Sequence, residues 1–192
     1  MIISLHFFIG ESDGKYKQIK FLSCKKRENF FFPGIGSGKT RVVFWWGITR
    51  SQMGRKVGIT EPTYGMCKKN LMPTFDEIFQ EIGFKECKHY TINKTDLEYS
   101  FPNGGKIYLC SGDNPDRLRG LNLHDGLIDE FQEEPTDKLY KVLVGRCRND
   151  SQSQIRMTGT PKPVKWVREK ISEDENKLIR QTTIENFFLP PE

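Results

Sequence analysis

The segment Pro33-Gly34-Ile35-Gly36-Ser37-Gly38-Lys39-Thr40 brings glycines, a lysine and a hydroxyl together at a spacing suited to clasping a polyphosphate. Glycines lack Cβ, so successive main-chain N–H groups can turn inward around phosphate oxygens. A helix beginning at the end of the segment would present its positive dipole end to the same anion. Lys39 then acts as a point charge on the β- and γ-phosphates of ATP, and the Thr40 hydroxyl is placed to ligate Mg²⁺. Pro33 stands where the full pattern G-x-x-x-x-G-K-[ST] has its first glycine. The nucleotide-binding candidates from this segment are Gly34, Ile35, Gly36, Ser37, Gly38, Lys39 and Thr40.

Two further segments supply acids and hydroxyls. Leu127-Ile128 runs into Asp129-Glu130, consecutive carboxylates at the end of an apolar strand. Downstream of a phosphate loop they can divide the labour of hydrolysis. Asp129 would hold Mg²⁺ through its water shell, and Glu130 would polarise the attacking water as general base. Taken alone, the pair also reads as a solvated loop start, and His124-Asp125-Gly126 makes the strand polar upstream. Thr158-Gly159-Thr160-Pro161 also follows a short strand. Its hydroxyls are candidates for hydrogen bonds to Glu130 or the γ-phosphate, although an ordinary strand-ending turn has the same composition.

Arg119, in Asp116-Arg117-Leu118-Arg119-Gly120, is a candidate for neutralising charge on the transferring phosphoryl group from a neighbouring subunit. The plainer reading is a surface ion pair. Gln18, near Tyr16 and Phe21, offers both a donor and an acceptor and so can read an adenine edge, or be an exposed glutamine without a role. Trp45 and Trp46 read as packing residues. Lys162, Lys165, Arg168 and Lys170 read as either phosphate contacts to DNA or a solvated helix face.

The elements that must position these groups alternate between strand and helix. Asn29-Phe30-Phe31-Phe32 is a buried strand entering the turn at Pro33-Gly34, and 40–51 reads as the helix behind the loop. Arg55–Thr60 is a second buried strand, and 66–82 a helix interrupted at Pro73. Asp96–Phe101 and Lys106–Cys110 flank Pro102-Asn103-Gly104-Gly105 as a β-hairpin. Gln154–Thr158, Lys165–Ser172 and Leu178–Ile184 add strand, helix and strand, and Ile2–Ile9 reads as an N-terminal strand. The expected fold is α/β, a P-loop NTPase with a mainly parallel central sheet flanked by helices, plus that hairpin.

Length and composition narrow the class. A chain of 192 residues fits one domain spanning 1–192, with a core that needs no disulfide staples. Cys24, Cys67, Cys87, Cys110 and Cys147 form no C-x-x-C pair, which argues against a zinc site and for a reducing compartment. A net charge of +5 is compatible with a nucleic-acid partner without pointing to one. No stretch approaches the roughly 20 apolar residues of a membrane span, so no membrane partner is expected.

The order of these features resembles the ATPase domain of tailed-phage terminase large subunits, from about Lys17 to Phe188. Tyr16-Lys17-Gln18 through Phe21 is similar to that family's adenine-contacting segment, and Gly34 to Thr40 to its phosphate loop. Leu118-Arg119-Gly120, Ile128-Asp129-Glu130 and Thr158 to Pro161 are similar to its arginine-glycine loop, acidic motif and coupling motif. Pro62-Thr63-Tyr64 and the hairpin also fall in family order. The family's loop usually begins with two glycines and an arginine where this chain has Pro33, Gly34 and Ile35, so more rests on Arg119.

The resemblance implies an ATP- and Mg²⁺-dependent motor that threads double-stranded DNA into a procapsid. Its implied partners are a portal protein and a small terminase subunit, its assembly a homo-oligomeric ring, and its place the cytoplasm of the infected host cell. Full-length relatives continue into a nuclease domain at about the point where Pro190-Pro191-Glu192 lies, so nuclease activity is not expected of this stretch. A helicase-like translocase or another P-loop NTPase is a competing reading. A nucleotide kinase would want a lid with clustered arginines, and the region after Pro161 offers lysines instead. A weakly active DNA- or portal-binding subunit is the third reading.

Overall fold

The computed structural model describes residues 13–34, 36–134, 136–148 and 151–181. The expected strand at Ile2–Ile9 and the loop residue Ile35 lie outside them. Among the described residues eight strands form one sheet in the order β3-β4-β5-β2-β6-β7-β1-β8. The strands are β1 (Glu28–Pro33), β2 (Lys56–Glu61), β3 (Thr91–Asn93), β4 (Glu98–Ser100), β5 (Lys106–Ser111), β6 (Asp125–Ile128), β7 (Ile155–Thr158) and β8 (Leu178–Gln181). All neighbours run parallel except in the β3-β4-β5 meander, which contains the expected hairpin.

A strand buried on both faces needs an unbroken apolar run, and β1 has one. Phe30 and Phe32 meet Phe131 on one face, while Phe31 stacks on Phe21 of helix α1 (Asp13–Ser23) on the other. Helix α2 (Lys39–Ser51) buries Val43, Phe44, Trp46 and Ile48 over Val57, Ile59, Ile107 and Leu127 of the central strands. Gly47 is one reason it can lie so close, since a Cβ there would fall 2.9 Å from the end of Ile59. The hairpin turn docks on the far end of the same helix. Asn103 Nδ2 donates to the carbonyls of Ser51 (3.1 Å) and Gln52 (2.9 Å), and a Cβ on Gly105 would sit 1.9 Å from the Ser51 carbonyl oxygen.

Pro73 does not break its helix. Helix α3 (Tyr64–Met66), capped by the Thr63 hydroxyl, leads through a π-helical turn (Cys67–Leu71) directly into α4 (Met72–Glu81). Proline has no N–H to return to the preceding turn, and the widening just before it, where Met72 N–H donates to the Cys67 carbonyl, lets the chain continue. Helices α1 and α5 (Lys138–Arg146) and strand β3 are additions to the elements expected from the sequence, and α6 (Lys165–Ser172) covers the expected range. Helices α5 and α6 pack on the face opposite α2, through Leu139, Leu143, Trp166 and Val167. No helix among the described residues is long and apolar enough to cross a membrane.

Asp125, at the start of β6, is fully buried. Arg50 of α2 donates to its two carboxylate oxygens at 3.0 and 2.8 Å, and Arg55 and the Gln154 N–H complete its shell. The polar upstream end of the strand is therefore an ion cluster tying α2, β2 and the β7 entrance together. Asp125→Ala leaves two guanidinium groups facing an empty place and is expected to cost about 3–5 kcal/mol, read as a lowered urea midpoint.

A second polar tie holds β1. Glu28 accepts from the Tyr140 hydroxyl and from Lys177 at 3.1 Å. Burial alone would raise its carboxyl, but Tyr140 and Lys177 outweigh that and hold it below the usual carboxylate range. A depressed folded-state value gives stability above the ordinary carboxylate pKa that is lost as pH falls through the folded one. Glu28→Gln is expected to lower the melting temperature at neutral pH, with the deficit closing as acidification protonates the wild-type carboxylate.

Candidate nucleotide-binding site

Side chains alternate along a strand, so the residues that share a face with the α2-packed apolar positions can be counted off. On β2 that face carries Val57, Ile59 and Glu61, and on β6 and just past it Leu127 and Asp129. On β5 it carries Ile107, Leu109 and Ser111, and on β7, opposite Met157, it carries Thr158. At the carboxyl ends of four neighbouring strands, Ser111, Glu61, Asp129 and Thr158 thus form a buried polar row. The candidate phosphate loop leaves the end of β1, the next strand after β7.

The loop is held from below. Gly34 N–H donates to the Gln181 carbonyl (2.9 Å), joining its base to β8. Gly36 (φ 72°) and Gly38 (φ 77°) take the left-handed conformation that glycine tolerates, and Gly38 caps α2. Gln18, expected to read an adenine edge, is buried and donates its amide to the Ser37 carbonyl at 2.7 Å. It braces the loop from α1 with one of its two amide N–H groups.

Above the loop lies a cavity of about 520 Å³ lined by Gly34 and residues 36–40, with Glu130 and Thr160 opposite and Arg41, Thr74 and Glu77 at the side. Lys39 Nζ pairs with Glu130 Oε1 and stands 3.8 Å from Asp129 Oδ1. Burial pushes the Asp129 carboxyl up against the pull of Lys39 and of the Thr158 hydroxyl, which donates to Oδ1 at 2.6 Å. Glu130 has φ 50°, a left-handed conformation unusual for a side-chain-bearing residue, which turns the chain sharply at the end of β6. Burial, followed by the charges of Asp129 and Glu130, pushes the Glu61 carboxyl up to about 8.

The Thr-Gly-Thr turn reaches the acids by a different route from the one its hydroxyls suggested. Thr158 serves Asp129, not Glu130. Glu130 is reached through Gln132, whose amide nitrogen donates to Glu130 Oε2 while its oxygen accepts the Thr160 N–H at 3.1 Å. Gly159 closes this contact, since a Cβ there would fall 2.1 Å from Gln132 Oε1 and 2.7 Å from the Phe131 ring. Gln132, Glu61 and Arg41 were not among the expected site residues. Gln132 and Arg41 adjoin motif residues in sequence, whereas Glu61 gave no signal beyond its place at a strand end.

Arg119 is exposed, pairs with Asp116 at 2.6 Å and does not line the cavity. It lies on a 3₁₀ turn (Pro115–Gly120) with Arg146 donating to its carbonyl. Arg41, inside the cavity rim, forms a two-pronged pair with Glu81. Lys162 and Lys170 pair with Glu133 and Glu173, and Lys165 lies 4.0 Å from Glu169, the pattern of a solvated ion-paired face. Trp46 is buried in the core, as a packing residue should be.

A sequence model of the terminase large subunit, T4likevirus-type, N-terminal part, matches residues 30–190. The chain belongs to the terminase large subunit family. This terminase chain gives no match among curated protein sequences. Among solved structures it is similar to the large terminase of a thermophilic bacteriophage in complex with ADP, at TM-score 0.73 and 18% identity over 93% of this chain. It spans 47% of that protein, about half its length. The large terminase ATPase domain of a Thermus phage gives TM-score 0.56 at 18% identity, covering 79% of this chain and 66% of that one. A helicase domain of Pyrococcus furiosus Hef gives TM-score 0.54 at 16% identity, over 87% of this chain and 38% of that one. The fold is the expected one, a mainly parallel α/β sheet flanked by helices as in P-loop terminase domains.

Gly159→Ala is expected to cost about 1–3 kcal/mol by overpacking against Phe131. It should also displace Gln132 from Glu130, which a denaturation curve paired with a structure of the variant would reveal.

Proposed function

We propose that this chain is the ATP-hydrolysing motor part of a terminase that drives double-stranded DNA into a procapsid. One observation carries the reading: Lys39 of the glycine loop pairs with Glu130 across a cavity that the loop lines, and the same ammonium group stands 3.8 Å from Asp129 Oδ1 behind it. Fold likeness to an ADP-bound large terminase supports it.

Thr40 and Asp129 are the residues that would hold Mg²⁺. Among the described residues no three acidic, histidine or cysteine side chains converge to cage a metal. That suits an ion taking only one or two protein ligands and otherwise waters and phosphate oxygens. When bound, such an ion would supply charge neutralisation to the phosphates.

The protein's own part follows from its contacts. Lys39 is paired to Glu130. An arriving triphosphate competes for that ammonium group, and Glu130, still held by Gln132, becomes free to accept the proton of the attacking water. Because Gln132 also holds the Thr160 N–H, the charge state around Glu130 is passed to the turn after β7. The exposed Arg119 is suited to act on a neighbouring subunit's phosphates in a ring, not on its own. DNA, portal protein and small terminase subunit complete the proposed assembly in the host cytoplasm, with DNA gripped through its phosphates.

Lys39→Ala is expected to abolish nucleotide binding. Glu130→Gln should retain binding and lose turnover by about 10²-fold or more. Phosphate release and fluorescent-nucleotide binding measure the two separately. A Lys39→Ala protein that hydrolyses ATP at the wild-type rate would overturn the reading.

A further inference from the structure

Glu61 takes no part in the steps above, yet it occupies a place that an apolar residue would fill at lower cost. It is the last residue of β2, third after Val57 and Ile59 on the face covered by α2. The Asp129 N–H donates to the Thr60 carbonyl at 2.8 Å, which fixes Glu61 and Asp129 as neighbours at adjoining strand ends. Glu61 is 2% exposed, and its Oε2 is buried without a hydrogen-bond partner. The charged groups that face it are Asp129, Glu130 and Lys39.

A buried carboxyl oxygen lacking a donor is costly, and burying it beside two more carboxylates adds repulsion. A buried acceptor beside Asp129 and within reach of the charges of Glu130 and Lys39, left without a donor, calls for one that arrives with the ligand. Among the described residues, acids do not converge closely enough to cage a cation directly. A water in the shell of a divalent cation is a strong donor, and a small, tightly hydrated cation keeps several such waters.

We propose that Glu61 is a positioning residue of the nucleotide site, accepting a hydrogen bond from a water in the shell of the divalent cation that accompanies the nucleotide. The inference rests on the nucleotide-site reading given above. It makes the cation's seat depend on three strand ends: Thr158 orienting Asp129, Asp129 itself, and Glu61 on the far side.

The test uses the 192-residue chain and compares fluorescent ADP binding in magnesium with binding in EDTA. Glu61→Gln is expected to weaken magnesium-ADP binding by about 10–100-fold, the range for loss of an outer-shell partner, while binding in EDTA stays within about twofold. Glu61→Met, of similar volume and apolar, is the second variant and should show the same split while melting at or above the wild-type temperature. Either folded variant binding magnesium-ADP as tightly as wild type would reduce Glu61 to a buried structural acid. Equal weakening with and without metal would make it a shaper of the pocket, also overturning the proposal. If the wild-type chain itself binds no ADP under either condition, the nucleotide reading fails first and takes this one with it.

Discussion

One ammonium group among carboxylates is the constraint around which this molecule is arranged. The parallel sheet brings Glu61 and Asp129 to adjoining strand ends, with Glu130 next in the chain, and the phosphate loop delivers Lys39 into their midst. Opposite charges about 4 Å apart attract by about 4 kcal/mol at an effective dielectric near 20, so the acids' mutual repulsion is tolerable only while that cation is present. Under the proposed function the same arrangement would make the site responsive, since a polyphosphate would compete for the lysine and a divalent cation would compensate the acids it leaves.

The strand between the loop strand and the acidic strand gives that response a route outward. Placing β7 between β1 and β6 sets Thr158 beside Asp129 and brings the turn after it over Gln132. Each acid therefore has its own line into the Thr158–Thr160 turn, a hydroxyl for Asp129 and an amide relay for Glu130. Gly159 leaves no room between that turn and Phe131, so a shift of Gln132 cannot be absorbed by slack packing.

The opposite end of the sheet is built for rigidity. Asp125 holds Arg50 and Arg55 in a buried network, and Arg156 spans from β7 to the carbonyls of Cys24 and Lys26 while lying over the Phe21 ring. Both networks clamp the α2 face far from the cavity.

The sequence by itself determined the parts that short-range chemistry dictates. Glycines before Lys39-Thr40 specify a left-handed turn opening a helix, the phenylalanine run specifies a strand buried on both faces, and Pro102 to Gly105 specifies a tight hairpin turn. The paired acids and the Thr-Gly-Thr turn were legible for the same reason, since each is a contiguous group at the end of an apolar run. What tertiary structure alone decided was which strand lies beside which. That order turned Gln18 from a free amide into a brace for Ser37 and sent the Thr158 hydroxyl to Asp129. It made Asp125 a structural anchor and gave Glu61 a place in the site. These roles depend on pairings between residues 19 to 75 positions apart, and local periodicity carries no information about such partners.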